Sequence, residues 1–430
     1  KTIAKLAERL EKKSTDTNSA EQDYAIDWKK EIELDPEIIP PPTLLAIDKE
    51  PKSILLTGVT GFVGAHLLHD LLENTQANIY CLVRAVNAEE AMVKICQNLN
   101  KYQLELTKFI QRIIPIVGTL SEPFFGWSGS KFRQLAKRVD VIYHNGAWVN
   151  FVYPYQLLKP SNVGGTVEVL RFACCSKLKP VHHISTFSIF SKAVFTEFGE
   201  IDESTPLNLD PLDLDGYSQS KWVAERLIME AQARGIPANI YRLGHITGHS
   251  QIGICHTSDL LWNQIKSCIQ LQISPILDTP IDITPVDFVS NAIVHLSKHS
   301  ASFGQVFHLV SQNLVSWDEV FNHVRTLGYY LEPRNLENWY QELVTRTQND
   351  PQNALYPFLS LFKNELDFID DTGARFHSTQ THAELSHIVC HPPSLALFER
   401  YFAHFINNGF IEPSPKLLTV NPDKIADITY

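Results

Sequence analysis

From residue 53 to residue 310, short apolar runs alternate with stretches whose apolar positions return every three or four residues. The runs fall at 53–58, 77–83, 113–117, 139–144, 181–186, 238–242 and 305–310. Buried strands alternating with amphipathic helices predict an α/β fold with a doubly wound parallel sheet. After about residue 312 the strand signal fades, and aromatic-rich helical patterns dominate at Ser316 to Thr326, Asn335 to Thr347 and Ser394 to Asn407. These predict a smaller, mostly helical lobe covering the substrate. Ahead of the first strand, residues 1–13 read as a short helix and the polar stretch from Lys13 as linker. Glu31 to Asp48, with Pro40, Pro41 and Pro42 in a row, reads as an extended lead-in. The expected division is 1–13, 14–50, 51–312 and 313–430.

Composition narrows the class. The 430 residues are 44% hydrophobic, with no apolar run long enough to cross a bilayer, which fits a soluble, cytoplasmic enzyme. A formal charge of -11 without a basic stripe argues against nucleic acid as the main partner. The 7 cysteines, Cys174 and Cys175 adjacent among them, are irregularly spaced and are expected to be buried thiols. The 17 histidines are scattered, and His182 and His183 on a strand are expected to pack rather than bind metal. The sequence opens on Lys1 and reads as an excised piece.

Chemistry first appears after the first strand, where Ser53-Ile-Leu-Leu-Thr runs into Gly58-Val-Thr-Gly61-Phe-Val-Gly64 and an amphipathic helix. The first glycine permits the turn, the second lets backbone approach a pyrophosphate, and the third packs helix on strand. Gly58, Thr60, Gly61, Phe62, Val63 and Gly64 are therefore expected to bind a dinucleotide, with the free amides of the helix start facing its phosphates. The second strand ends on Arg84, where an acid would select NAD. A guanidinium there pairs with a 2′-phosphate, so the expected cofactor is NADPH.

Far downstream, Gly216-Tyr-Ser-Gln-Ser-Lys221 opens another helix. Tyr217 and Lys221, four apart, share one helical face, so the ammonium is expected to lower the phenol pKa and let the tyrosine protonate a developing alkoxide. Thirty-one positions before Tyr217, the fifth strand ends in Ser185-Thr186-Phe187-Ser188 and brings a hydroxyl to the same rim. Asn145, Gly146 and Ala147 end the fourth strand and let backbone pass the cofactor ribose, while Leu243, Gly244 and Ile246 end the sixth and line the nicotinamide. Trp148, Ser188 and His245 are candidates for touching substrate.

With these pieces in order, the chain resembles an extended short-chain dehydrogenase/reductase, and within that class the terminal thioester reductase domain of nonribosomal peptide synthetases and carboxylic acid reductases. The likeness covers roughly residues 25 to 430 and is most specific in Thr57 to Gly64, His144 to Phe151, Asn162 to Thr166, Gly216 to Glu225 and Ile283 to Ser290. It implies a catalytic triad of Thr186, Tyr217 and Lys221, an NADPH-binding Rossmann domain over 51–312 and a substrate-binding subdomain over 313–430. It adds Thr119, Leu120 and Asn162 to the cofactor set. The helix over 1–13 resembles the last helix of a carrier domain, so the implied partner is an upstream carrier bearing an acyl or peptidyl thioester on phosphopantetheine, and the excised domain is expected to be monomeric. The implied reaction is NADPH-dependent release of that thioester as an aldehyde or, after a second hydride, an alcohol. Thr119 stands where the family carries an aspartate, removing a carboxylate from the adenine side, and Leu243 replaces a proline, which is expected to relax that loop. A fatty acyl-CoA reductase, an epimerase, a cyclising reductase-like domain that performs no reduction, and a dinucleotide-sensing scaffold are the rival readings.

Overall fold

The structure is a computed structural model that describes residues 26–42, 50–298, 303–361, 376–385 and 387–416. The helix expected over 1–13 and the linker that follows it lie outside the described residues.

Seven parallel strands form the central sheet: β1 (Ser53–Thr57), β2 (Asn78–Val83), β3 (Ile113–Val117), β4 (Val141–His144), β5 (Val181–Thr186), β6 (Ala238–Leu243) and β7 (Val306–Leu309), in the order β7-β6-β5-β4-β1-β2-β3. Each strand coincides with a predicted run to within two residues. Period-two alternation divides the side chains between two cores. On β1, Leu55 joins the core under the helices Gly129–Arg138, Gly165–Cys174 and Gly216–Ala233, while Ile54 and Leu56 join the one under Phe62–Asn74, Ala88–Lys101 and Val286–Ser297. With both faces covered, the strands carry almost unbroken apolar runs. Strand order reverses between β1 and β4, the point at which open parallel sheets bind ligands beyond the strands' carboxyl ends.

A third core gathers Trp262, Ile265 and Cys268 with Trp317, Phe321, Trp339, Tyr401, Phe402 and Phe405. It therefore begins well before residue 312, through the helix Leu260–Leu271. Its helices start one residue later than the apolar pattern suggests, because the first polar residue is the cap. Ser316 closes a capping box with Glu319 (3.2 and 2.9 Å), and Asn335 accepts from the Asn338 amide at 2.8 Å. Three two-stranded ribbons that the sequence did not predict also form, among them Ile273–Pro275 with Glu332–Arg334.

A short helix precedes the expected lead-in, and the lead-in itself is tied to the body of the protein. Trp28–Glu31 is helical, Leu34 and Ile38 are buried, and Arg234, which caps the Gly216–Ala233 helix, donates to the carbonyls of Leu34, Asp35 and Ile38 (2.7, 2.7 and 3.1 Å). Of the cysteines, all free, Cys81, Cys255, Cys268 and Cys390 are buried and Cys96, Cys174 and Cys175 half-buried.

Candidate active site

The glycine turn is held by hydrogen bonds to its carbonyls. Gly58 sits at φ 76°, a conformation that favours glycine, and a side chain on it would come within 2.7 Å of the Gly146 nitrogen. Its carbonyl accepts from the Gly61 amide at 3.0 Å and the Asn145 side chain at 3.3 Å, and Asn98 ties down the Val59 and Gly61 carbonyls at 3.1 and 3.0 Å. Gly64 packs its α-carbon onto the Gly58 carbonyl with no room for a side chain. Gly61 caps the Phe62–Asn74 helix without any side-chain hydrogen bond, which leaves first-turn amides for a phosphate. Thr60 and Gly61 are exposed at the tip. Phe62 instead packs, its ring against Tyr102 and His256.

Beside this turn, the ends of β1 and β4 are bound by a proton-ordered chain. The Gly146 amide donates to the Thr57 hydroxyl (2.8 Å), which pairs with Nδ1 of His144 (2.9 Å); Nε2 pairs with Thr166 (3.1 Å), which donates to the Asn162 carbonyl (2.7 Å). Thr166 has given its proton to that carbonyl, so it accepts from Nε2, Thr57 donates to Nδ1, and His144 is the Nε2–H tautomer. Burial lowers its pKa to about 3, keeping it neutral. Asn162 is buried within a π-helical turn (Pro160–Gly164), its side chain bonded to both backbone atoms of Trp148 (2.7 and 3.1 Å) and to Ser220 (2.8 Å). Leu120 fills the space that side chains on Gly146 and Gly165 would occupy, and the Thr119 amide bonds the Phe125 carbonyl. Arg84 is exposed just past β2.

Tyr217 and Lys221 are both buried on the Gly216–Ala233 helix, whose start Asp215 fixes by accepting from the amides of Tyr217 (2.8 Å) and Ser218 (3.1 Å). Lys221 Nζ donates to the Ile184 carbonyl at 2.7 Å and lies 3.4 Å from His183 Nε2, which locks the helix to β5 two residues before Thr186. Burial lowers the lysine pKa to about 8. The expected lowering at Tyr217 does not occur in these surroundings: burial pushes its phenol up, and the Asp215 carboxylate adds to the rise. Thr186 ends β5, its hydroxyl 3.2 Å from the Ser188 amide and 3.1 Å from the Ser188 hydroxyl.

Thr186, Ser188, Leu243, Gly244 and His245 line one cleft of about 250 Å³ together with Asp282 and Phe376. Ile246 sits beside it, paired with Thr284, and Trp148 lies outside it on an exposed loop. The loop after β6 is not relaxed by Leu243. The leucine extends the strand by one residue, opposite both Thr186 and Leu309, the Gly244 amide bonds the Leu309 carbonyl at 3.3 Å, and the His245 amide bonds Asp282 at 2.9 Å.

Two groups escaped the sequence reading. Glu225 and Arg242 form a fully buried ion pair (2.9 and 2.7 Å) that also takes the Ser185 hydroxyl and His308 Nε2. Asp282 accepts from His245, Ser311 and Thr284, and burial raises its pKa to about 6. An acid or arginine inside an apolar strand or helix is the sequence signal that could have marked the pair.

A glycine turn at the switch point, with a tyrosine–lysine helix locked to a hydroxyl-bearing strand end, defines an oxidoreductase of the short-chain dehydrogenase/reductase class. Residues 56–293 match the NAD-binding "Male sterility protein" family. A linear gramicidin synthase polypeptide of Brevibacillus parabrevis is 39% identical over 84% of this chain, and the glycine betaine reductase ATRR of Emericella nidulans 41% identical over 67%. This chain spans only 7% and 23% of those two proteins. The crystal structure of the terminal R domain from the myxalamid PKS-NRPS biosynthetic pathway matches 91% of this chain and 100% of its own, at 36% identity and a TM-score of 0.84. The chain belongs to the Male sterility protein family and, among the extended short-chain dehydrogenases/reductases, to the terminal reductase domains of nonribosomal peptide synthetases. As such it uses a nicotinamide cofactor.

Proposed function

We propose that this chain reductively releases a carrier-bound acyl or peptidyl thioester as an aldehyde, with NADPH as reductant. The observation that carries the reading is the bond from Lys221 to the Ile184 carbonyl, because it fixes the helix bearing Tyr217 against the strand that ends in Thr186. The glycine turn fits a dinucleotide, since the helix start that follows it has no side-chain cap and Gly58 and Gly64 leave no room for side chains of their own. Arg84 past β2, with no acid at that position, favours the 2′-phosphate of NADPH. When bound, the cofactor supplies the hydride.

Thr186 and Tyr217 donate hydrogen bonds to the thioester carbonyl oxygen as negative charge gathers there, and Lys221 holds positive charge close by. Tyr217 passes its proton to that oxygen, giving a thiohemiacetal. Breaking its carbon–sulfur bond yields the aldehyde and the carrier thiol. One thioester, one NADPH and one proton become one aldehyde, one thiol and one NADP⁺. Burial keeps the Tyr217 phenol protonated, so the proton is in place, but the raised pKa makes it a weaker acid that gives the proton up only to an oxygen bearing nearly full negative charge. In this reading the helical lobe, whose core already takes in the helix Leu260–Leu271, closes over the acyl group. The likeness to a linear gramicidin synthase supports an upstream carrier as the source of the thioester.

The test is incubation with NADPH and acyl-pantetheine thioesters, following absorbance at 340 nm and identifying products by mass spectrometry. Cofactor oxidation with an aldehyde supports the reading. Thiol release or cyclisation without oxidation refutes it.

A further inference from the structure

Six residues after β4, Trp148-Val-Asn-Phe-Val-Tyr153, contradict their composition: five carry large apolar or aromatic side chains, yet each of those five is between 38% and 57% exposed. Loose packing does not explain it, because the backbone is pinned along its length. Asn162 holds both backbone atoms of Trp148, and Asn150 Oδ1 accepts from the amides of Val152 (3.0 Å) and Tyr153 (2.9 Å). The Trp148 and Tyr153 rings meet edge to face at 5.4 Å. At the far end, Gly216 packs so closely on the Tyr153 carbonyl that a side chain there could not fit. An ordered backbone that keeps contiguous apolar groups in water marks a binding surface.

We propose that this loop is the platform on which the acyl chain of the thioester lies, and that it selects long apolar acyl groups over short or charged ones. The inference rests on the thioester reading of the site. Two observations commit the platform to that occupant. Phe151 packs edge-on against the Tyr217 ring, 5.3 Å between centroids, so the apolar surface is continuous with the proton donor. A carbonyl bound at the Tyr217 hydroxyl therefore leads its acyl carbons onto Phe151 and then onto Val149, Val152 and Trp148. In addition, no acidic or basic residue occurs in the stretch from Asn145 to Leu158, so the loop itself offers no charge to a partner and mainly dispersion and water release to an apolar one.

The experiment compares kcat/KM for octanoyl- and acetyl-pantetheine in the parent and in the double variant Val149→Thr, Val152→Thr, which keeps side-chain shape but places hydroxyls on the platform. The octanoyl-to-acetyl ratio is expected to fall by about tenfold, the effect of desolvating a hydroxyl against a hydrocarbon chain. An unchanged ratio overturns the proposal. Binding of the unreactive thioethers S-octyl- and S-ethyl-pantetheine, followed by tryptophan fluorescence, reads the platform independently of reduction. If the parent reduces no thioester but the octyl preference is present and weakened in the variant, the proposed reaction is wrong and the platform stands. Equal affinity of the parent for both thioethers overturns the platform whatever the enzyme reduces.

Discussion

Replacing Glu225 by glutamine keeps the volume of the side chain and removes one charge from the centre of the molecule. Glu225 and Arg242 are both 0% exposed, and among the described residues Glu225 is the acid paired with that guanidinium. One carboxylate oxygen accepts two guanidinium nitrogens and the other the Ser185 hydroxyl at 2.5 Å. His308 has Nδ1 bonded to the His377 carbonyl at 2.7 Å and burial lowers its pKa to about 3, so it faces Arg242 as a neutral acceptor and cannot replace the missing charge. Glutamine therefore strands a buried cation, a change that costs about 3–5 kcal/mol in comparable sites. Against a typical total of about 5–15 kcal/mol this is a large fraction of the stability. In urea followed by far-UV circular dichroism, the midpoint should fall by about 1 M or more. Adding Arg242→Met removes the stranded charge, and the double variant should regain at least half of the loss. A loss below about 1 kcal/mol, or a double variant no more stable than the single, would refute the assignment of this pair as a mutually compensated buried charge.

Tyr217→Phe should bind NADPH with unchanged affinity in a fluorescence titration while turnover drops by about 10²–10⁴, the usual worth of a positioned proton donor. Lys221 carries a pKa lowered by burial to about 8, against a usual lysine near 10.5. The unfolded chain then binds the extra proton between those values, so burial of Lys221 costs stability below pH 8 and the cost is relieved as pH rises toward 10.5. In denaturation series at about pH 7.5, 9 and 10, the advantage of Lys221→Met over the parent should shrink with pH; a constant difference would contradict the lowered value. Arg84→Ala should raise KM for NADPH about tenfold and leave KM for NADH unchanged, as loss of a charge-assisted phosphate contact requires. Equal effects on both cofactors would remove Arg84 from the phosphate site.

Seven strands were legible because a sheet covered on both faces makes each strand a nearly unbroken apolar run. The glycine turn was legible because Gly58 and Gly64 answer to backbone geometry, a local requirement that leaves a local trace. What stayed hidden is set by distant partners. Asn98 and Asn145, 40 and 87 positions from Gly58, hold the turn, and nothing near either residue announces it. The tyrosine–lysine spacing revealed the shared helical face but not where the ammonium goes. It goes to Ile184 and His183, and the phenol is governed by its own burial. Asn162 stood among motif residues, but its bonds to Trp148 and Ser220 are set by partners 14 and 58 positions away and left no local trace.

The stretch before the first strand changes how a boundary for this unit should be drawn. Trp28 meets Tyr155 and Trp222 edge to face, Glu31 takes the Tyr155 hydroxyl and the Lys159 ammonium, and Arg171 pairs with Asp35 at 2.7 Å. Tyr155 and Trp222 belong to the scaffold that carries the apolar loop and Tyr217. A shortened version beginning at Ser53, where the recognisable fold starts, would therefore strip buried surface from the rear of the Gly216–Ala233 helix and leave Arg234 without the three carbonyls that satisfy it. Residue 26 is the later limit for an N-terminal cut that leaves this packing intact.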